Sequence, residues 1–334
     1  GFFGKWHNGN EGPYRPENRG FDECWVYEKG SRMKATISHN GKPQRMDGTY
    51  PTDLFFEKAT EWMDVQRQAK KPFFVYLPPK SPHGPYKEDS SDIPNEDYKK
   101  FLGSHPEMTV QVAKIYGEVE YIDKRIGEMI QQLEEWGIAD NTLFIFIGSD
   151  NGASGTSKIY NAGMNGQKGH PYQGGTRVPA FFRWPGGSIQ GGSESAALIS
   201  QMDIMPTLLE LTGTPMTDHL KQQVEGRSLV PIFKNPASDW EDDRHLVHHV
   251  GAWATGQAAQ SKHARVSIQN KRFTLVNNKN GEELFDLQTD PGETTNVIAQ
   301  YPEVVDQLRK IYDQWWTRMQ PGLVNEDAYQ PPAK

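Results

Sequence analysis

The chain has 334 residues, 35% of them hydrophobic and 11% aromatic, and a formal net charge of −7. That length exceeds what one hydrophobic core ordinarily supports, so a large domain with a smaller companion is expected. The acidic balance, with a pI near 5.8, excludes the basic field that gathers nucleic acid, and no apolar run approaches the roughly 18 residues of a membrane span. A single cysteine, Cys24, excludes an internal disulfide framework and leaves the compartment open.

Near the start, "GKWHNG" places Lys5 and His7 two residues apart, on one side if the segment is extended. A solvated chain end is the plainer reading of those two residues. Residues 53 to 70 carry apolar side chains at helical spacing and run into "KPFFVYLPP", a short apolar stretch of the kind buried in a sheet. The next loop, "SPHGPY", holds His83 between Pro82 and Pro85, which restrict its backbone; a packed loop histidine is the alternative. From Thr109 to Asp140 a second helix is expected, its apolar face marked by Val112, Ile115, Val119, Ile122, Ile126, Met129, Leu133 and Trp136.

"NTLFIFIGSDNG" then gives a second buried strand. Asp150 and Asn151 follow it, either as an Asx turn or as two oxygens converging on a hard cation. Lys168 stands among glycines in "NGQKGHPYQGGTRVPA", where backbone and ligand can approach closely, or else as a solvated loop lysine. "RVPAFFRWPGG" is a third strand, and "LISQMDIMPTLLELTG" passes from strand into helix. This alternation predicts an α/β domain, a mostly parallel sheet sandwiched by helices, over residues 1–235. Ligands in such sheets sit beyond the carboxyl ends of the strands, where "SPHGPY" and "SDNGASG" lie.

After a linker at 236–239 the texture changes. "RHLVHHVG", "HARVSIQNKRFTLVNN" and "EELFDLQ" read as short strands, the middle one a hairpin, and residues 301–319 as one amphipathic helix. Residues 236–334 are therefore expected to form a subdomain with a small antiparallel sheet and a covering helix, ending in a frayed tail, "QPPAK". His245 and His249 would make a zinc pair on a helix, but "HLVHHV" reads as strand.

Taken together, "GKWHNG", "NRGFDE", "PFFVYLPPKSPHGPY", "GSDNG", "GQKGHPYQGGTRVPAFFRWPG", "MDIMPTLLELTG", "EGRSLVPIF" and "ELFDLQTDPGETTN" resemble the sulfatase family, the formylglycine-dependent sulfate ester hydrolases of the alkaline phosphatase superfamily. The stretches keep the family's order through almost the whole chain. The resemblance implies that Lys5 and His7 contact the formylglycine nucleophile, His7 assisting breakdown of its sulfated hydrate. It implies that His83 and Lys168 hold the sulfate and stabilise or protonate the leaving oxygen, and that Asp150 and Asn151 complete a calcium site, magnesium being the other hard cation considered. Fixed cations suit these roles, because a sulfuryl group in transfer spreads negative charge over its oxygens.

The family's nucleophile arises in a Cys-x-Pro-Ser-Arg type motif, and two further aspartates serve its metal; both precede the Gly-Lys-Trp-His segment in the family and neither is found here. Cys24 comes after that segment and lacks the next proline, so it reads as a structural or incidental thiol. Ser104 has the wrong neighbours and the wrong place in the order. The start "GFFGKW" shows neither an initiator methionine nor the charged and apolar regions of a signal peptide. The expectation is that an upstream piece carries the nucleophile and an export signal, with a periplasmic or extracellular location implied by the family, and that residues 1–334 alone are inactive. The substrate implied is a sulfated small molecule or carbohydrate, with His170 and His249 as candidate rim residues. Two other readings remain, a phosphodiesterase or phosphonate hydrolase of the same superfamily and a non-catalytic protein that binds sulfated glycans.

Overall fold

The computed structural model describes residues 1–9, 11–31, 33–84, 86, 97–240, 243–251 and 253–323, and the chain divides into two compact units, Gly1–Ala139 and Asp140–Lys334. Pro85 and the tail at 330–334 lie outside the described residues.

In the first unit β1 (Phe2–Gly4) pairs in parallel with β2 (Cys24–Ser31), and β3 (Lys34–His39) and β4 (Lys42–Asp47) extend the sheet antiparallel in the order β1-β2-β3-β4. Hydrophobic periodicity misses this meander because β4 is exposed along most of its length and has no apolar face to register. A local signal does mark it. Asn40 and Gly41, both at positive φ, join β3 to β4 as a two-residue hairpin, the Asn-Gly turn whose twist matches the flanking strands.

The expected strand "KPFFVYLPP" runs along the other edge of β1. Tyr76 N–H donates to Gly1 O (2.9 Å), Phe3 N–H to Tyr76 O (3.0 Å) and Lys5 N–H to Pro78 O (2.8 Å), with a parallel bridge between Phe2 and Tyr76. It is not buried as its composition suggests, since Phe74 and Tyr76 are 55% and 48% exposed. Its bonds to the chain start thus run from Gly1 through Phe3 to Lys5, with the Gly1 amino group also donating to Phe74 O at 2.7 Å.

Helix α1 (Pro51–Gln68) starts with Pro51 in its first turn, where the missing N–H costs nothing, and carries Asp53 and Arg67 at the ends that suit the helix dipole. Leu54, Phe55, Ala59 and Met63 form its buried stripe. Helix α2 (Val110–Glu135) is capped by Thr109, whose hydroxyl accepts the Val112 N–H at 3.2 Å. Val112, Ile122, Met129 and Leu133 are buried as expected, but Val119 faces outward and the inner face instead includes Lys114 and Glu118. The apolar reading fails there because Glu118 is drawn inward by the buried hydroxyl of Tyr50, which donates to it.

In the second unit β5 (Phe144–Ile147) pairs antiparallel with β6 (Ala180–Arg183), and α3 (Gln173–Thr176) is a single turn between them. Three short helices come next, α4 (Ile204–Leu211), α5 (Asp218–Gln223) and α6 (Val230–Lys234). Leu229, Ile232 and Phe233 pack with Leu143, Phe182, Ile204 and Leu211.

The rest of this unit is a four-stranded antiparallel sheet in the order β10-β9-β8-β7, formed by β7 (Leu246–His249), β8 (Val266–Gln269), β9 (Phe273–Asn278) and β10 (Gly281–Asp286). Helix α7 (Pro302–Met319) turns Val305, Leu308, Tyr312 and Trp316 onto Val266, Ile268, Phe273, Leu275 and Leu284. Burial of side chains this size is worth roughly 1.5–3 kcal/mol each, which is what holds the helix to the sheet. The molecule is thus α/β, with the small C-terminal antiparallel sheet and covering helix that the sequence predicts. Among the described residues no helix is long and apolar enough to cross a membrane.

One buried ion pair ties the second unit together. Arg244 (4% exposed) forks onto Asp203 (0% exposed) through Nη1 to Oδ2 at 2.9 Å and Nη2 to Oδ1 at 2.7 Å. The same carboxylate accepts the Ser200 N–H (2.7 Å) and the Arg227 N–H (2.8 Å), so its lone pairs are filled. Asp203→Ala would leave the guanidinium buried and unpaired, and is expected to destabilise the second unit by about 3–5 kcal/mol. A urea titration that shifts the midpoint by less than about 1 kcal/mol equivalent would contradict this account of the pair.

Candidate active site

The first unit carries three of the candidate residues. Gly4 closes β1 beside Pro78, and Lys5 N–H donates to Pro78 O, so the chain leaves the strand alongside the segment that leads to His83. Trp6 anchors the chain just past the strand. Its indole Nε1–H donates to Tyr14 O at 2.7 Å, and the ring packs edge-on against Phe2 and Phe21. His7 then takes φ = 62°, so the segment is not extended through His7 and the alternation rule does not place it beside Lys5. A left-handed non-glycine residue costs free energy that the surroundings must offset, and such positions cluster at functional sites.

His83 is exposed, and its Nδ1 lies 2.6 Å from Gly84 O. A carbonyl only accepts, so Nδ1 is the donor in this bond. The loop beneath is pinned by buried polar groups. Thr52 donates to Ser81 (3.2 Å), Ser81 shares a 2.7 Å bond with Tyr50, and the Tyr50 hydroxyl donates to Glu118. Since the phenol has one proton, which goes to the carboxylate, Ser81 is the donor to Tyr50. Burial first and Glu118 second raise the Tyr50 phenol well above its usual range, so it stays a donor. Tyr86 adds a 2.7 Å bond to Pro82 O.

The second unit carries the other candidates. After β5 the chain passes through Gly148, whose N–H donates to Pro179 O at 2.8 Å, to Asp150 and Asn151. Lys168 Nζ lies 2.9 Å from Asp150 Oδ1. Burial works to raise the Asp150 carboxyl, but the hydrogen bond from Lys168 and backbone N–H groups outweigh it and hold the carboxyl below its ordinary range. The Lys168 backbone N–H also donates to Ala153 O at 3.0 Å. Gly152 makes this approach sterically feasible. A Cβ there would sit 1.8 Å from Gly174 O, and the Gly152 N–H reaches Gly175 O at 3.2 Å. His170 is exposed two residues beyond Lys168.

Asn151 Oδ1 is buried and has no hydrogen-bond partner. A buried carbonyl-type oxygen left bare is costly, and such an atom calls for a donor or a cation. With the Asp150 carboxylate it offers two hard oxygen donors, the chemistry that calcium or magnesium prefers. Among the described residues no group of three or more His, Cys, Asp or Glu side chains converges as a metal site, so these two residues would supply part of a coordination shell.

His249 stands half-buried in the C-terminal sheet, against Trp253 and Trp316, with Nε2 3.0 Å from Ser261 O and Nδ1 accepting the Gly251 N–H at 3.0 Å. Its neighbour His248 is held neutral by burial, its ionisation pushed down to about 4. Cys24 is fully buried, and burial pushes its thiol up to about 12, the behaviour of an inert structural cysteine. Hydrophobic patterning missed the Tyr50–Ser81–Glu118 chain and the Asp203–Arg244 pair, which are buried polar groups made by residues far apart in sequence.

An α/β protein with cationic side chains and hard oxygen donors at its strand ends is equipped to handle an anionic group. The chain belongs to the sulfatase family: the sequence profile named Sulfatase matches residues 1–214, and that of the N-sulphoglucosamine sulphohydrolase C-terminal region matches residues 167–317. It is 29% identical over 295 residues to an arylsulfatase of Clostridium perfringens, a match covering 79% of this chain and 57% of that protein. The chain thus spans a little over half the length of that relative. The fold is similar to that of Ps i-CgsB in complex with k-i-k-neocarrahexaose, with a TM-score of 0.80, 22% identity, and coverage of 94% of this chain and 70% of the other. It is also similar to BT4656 in complex with its substrate D-glucosamine-2-N,6-O-disulfate, with a TM-score of 0.70, 18% identity and coverage of 96% and 80%.

The Lys168–Asp150 pair is substantially exposed, 41% and 70% for the two side chains, so it adds little to stability. Lys168→Met is expected to change the unfolding free energy by less than about 1 kcal/mol. A loss of several kcal/mol in a denaturant titration would show that Lys168 serves the fold.

Proposed function

We propose that the whole protein hydrolyses sulfate esters of carbohydrates or other small molecules, with a formylglycine nucleophile lying outside residues 1–334 and one calcium ion. The observation that carries this reading is the arrangement at the end of β5: Lys168 bonded to Asp150, next to the bare, buried oxygen of Asn151, in a chain of the sulfatase family. The sugar disulfate bound by BT4656 supports a carbohydrate substrate. In this reading residues 1–235 form the catalytic domain and 236–334 a C-terminal subdomain, and the protein works in the periplasm or outside the cell.

Asp150 and Asn151 would contribute two oxygens to the calcium shell. When bound, the ion would polarise the sulfate oxygens and neutralise part of their charge. Lys168 answers the negative charge that spreads over the sulfuryl oxygens in the transition state. His83 donates from Nε2 to the leaving oxygen, its Nδ1–H kept on Gly84 O so that the ring presents one nitrogen. Lys5 and His7 serve the nucleophile, His7 as the group that assists breakdown of its sulfated hydrate. His170 and His249 are proposed to line the substrate rim.

In the whole protein, Lys168→Ala or His83→Ala is expected to lower kcat for a chromogenic aryl sulfate by about 100-fold or more, since each removes an interaction used in the transition state. Turnover within about threefold of the parent for both variants would overturn these assignments. Chelation of divalent cations should suppress turnover, and added calcium should restore it.

A further inference from the structure

Glu293 lies in the turn after β10 and is almost wholly buried, at 2% exposed. It adopts φ = 56°, an unusual conformation for a residue with a side chain. Asp290 holds the turn in shape: its carboxylate accepts the Thr294 N–H at 2.7 Å and the Thr295 N–H at 2.8 Å, while the Glu293 N–H donates to Asp290 O at 3.1 Å. The Glu293 carboxyl is thereby turned inward. Its Oε2 accepts the Gln173 N–H at 2.7 Å, and its Oε1 is buried without a partner.

The same turn grips a second point of the same segment. Asn165 N–H donates to Gly292 O at 3.1 Å, and Asn165 Nδ2 to Glu293 O at 3.2 Å. Asn165 and Gln173 are the two ends of the segment that carries Lys168 near its middle. The far end is fastened further by Gln173 Nε2 on Gln269 of β8 (2.8 Å) and by the Tyr172 hydroxyl on Glu283 of β10. We propose that Glu293 is a positioning residue for Lys168: the turn it occupies clamps both ends of the 165–173 segment and so sets where the lysine stands. The inference rests on the role proposed above for Lys168 in sulfate ester hydrolysis.

The protonation state of Glu293 provides a readout that a purely structural anchor lacks. Burial pushes the carboxyl up to about 7, against the acceptance of the Gln173 N–H, with the charges of Asp290 and Glu283 adding to the rise. The charged groups acting on it, from its own turn and from β10, are both negative. Unfolded, the group titrates near 4.5, so the folded chain holds the proton more tightly and the clamp weakens as pH rises from there toward about 7.

The test is hydrogen exchange of residues 161–176 in the whole protein, comparing the parent with Glu293→Gln and Glu293→Ala at about pH 6 and pH 8. After correction for intrinsic rates, protection in the parent should fall about threefold or more between the two pH values. Glu293→Gln should abolish that dependence, and Glu293→Ala should lose protection at both. Equal protection of parent and variants at both pH values would overturn the clamp. If Glu293→Ala does not fold, the Glu293→Gln comparison alone decides. With an aryl sulfate, Glu293→Gln should remove an alkaline fall in kcat centred near pH 7 while KM stays within about twofold; an unchanged profile would overturn the link to Lys168. A parent that turns over no aryl sulfate would overturn the function proposed for Lys168, and the exchange result would still decide whether the clamp exists.

Discussion

The contact between Gly152 and the Gly174 carbonyl is closer than any side chain would permit, and the candidate site of the second unit is built around it. Two parts of the one connection from β5 to β6, Gly152 just after β5 and Gly174 in α3, can lie backbone to backbone there. Lys168 therefore reaches Asp150 while its own N–H bonds to Ala153 O. An alanine at 152 would push the loops apart by the width of a methyl group or more, and the ion pair would be lost. Glycine in this position gives up conformational entropy for proximity, an exchange common where backbone must approach a ligand.

The two units meet the same problem with different means. In the first, His83 is exposed on a loop whose underside is fixed by a buried chain of donated protons from Thr52 through Ser81 and Tyr50 to Glu118. Buried polar groups of this kind add little net stability when satisfied and cost much when one partner is removed. Their effect is to specify one loop position. In the second, Asp203 and Arg244 fix the helical segments after β6, and the turn around Asp290 and Glu293 grips the Lys168 segment. The exposed candidate side chains thus stand on buried polar supports.

The α/β class, both long helices, β5, β6 and the C-terminal sheet with its covering helix were legible because each has a regular apolar period or a short apolar run, although β5 and β6 have no buried residue. The β2–β4 meander was not, since β4 has no buried face, although Asn40 and Gly41 mark its hairpin. Val119 was misplaced on the inner face of α2 because pattern reading assumes that buried positions are apolar, whereas this helix buries Lys114 and Glu118. Asp150, Asn151 and Lys168 were legible as a set through short motifs, and the Lys168–Asp150 bond unites two of them. The bare oxygens of Asn151 and Glu293 had no sequence signal, because burial without a partner arises only from the three-dimensional surroundings.

Action of this site on sulfate esters is the central claim. It is tested most directly by the ratio of kcat/KM for an aryl sulfate to that for the matching aryl phosphonate monoester, measured on the whole protein. The predicted ratio is at least about 10 in favour of the sulfate, because a site for sulfate esters is matched to the charge and geometry of that transition state. A ratio below about 1, or release of phosphonate with no release of sulfate, would contradict it.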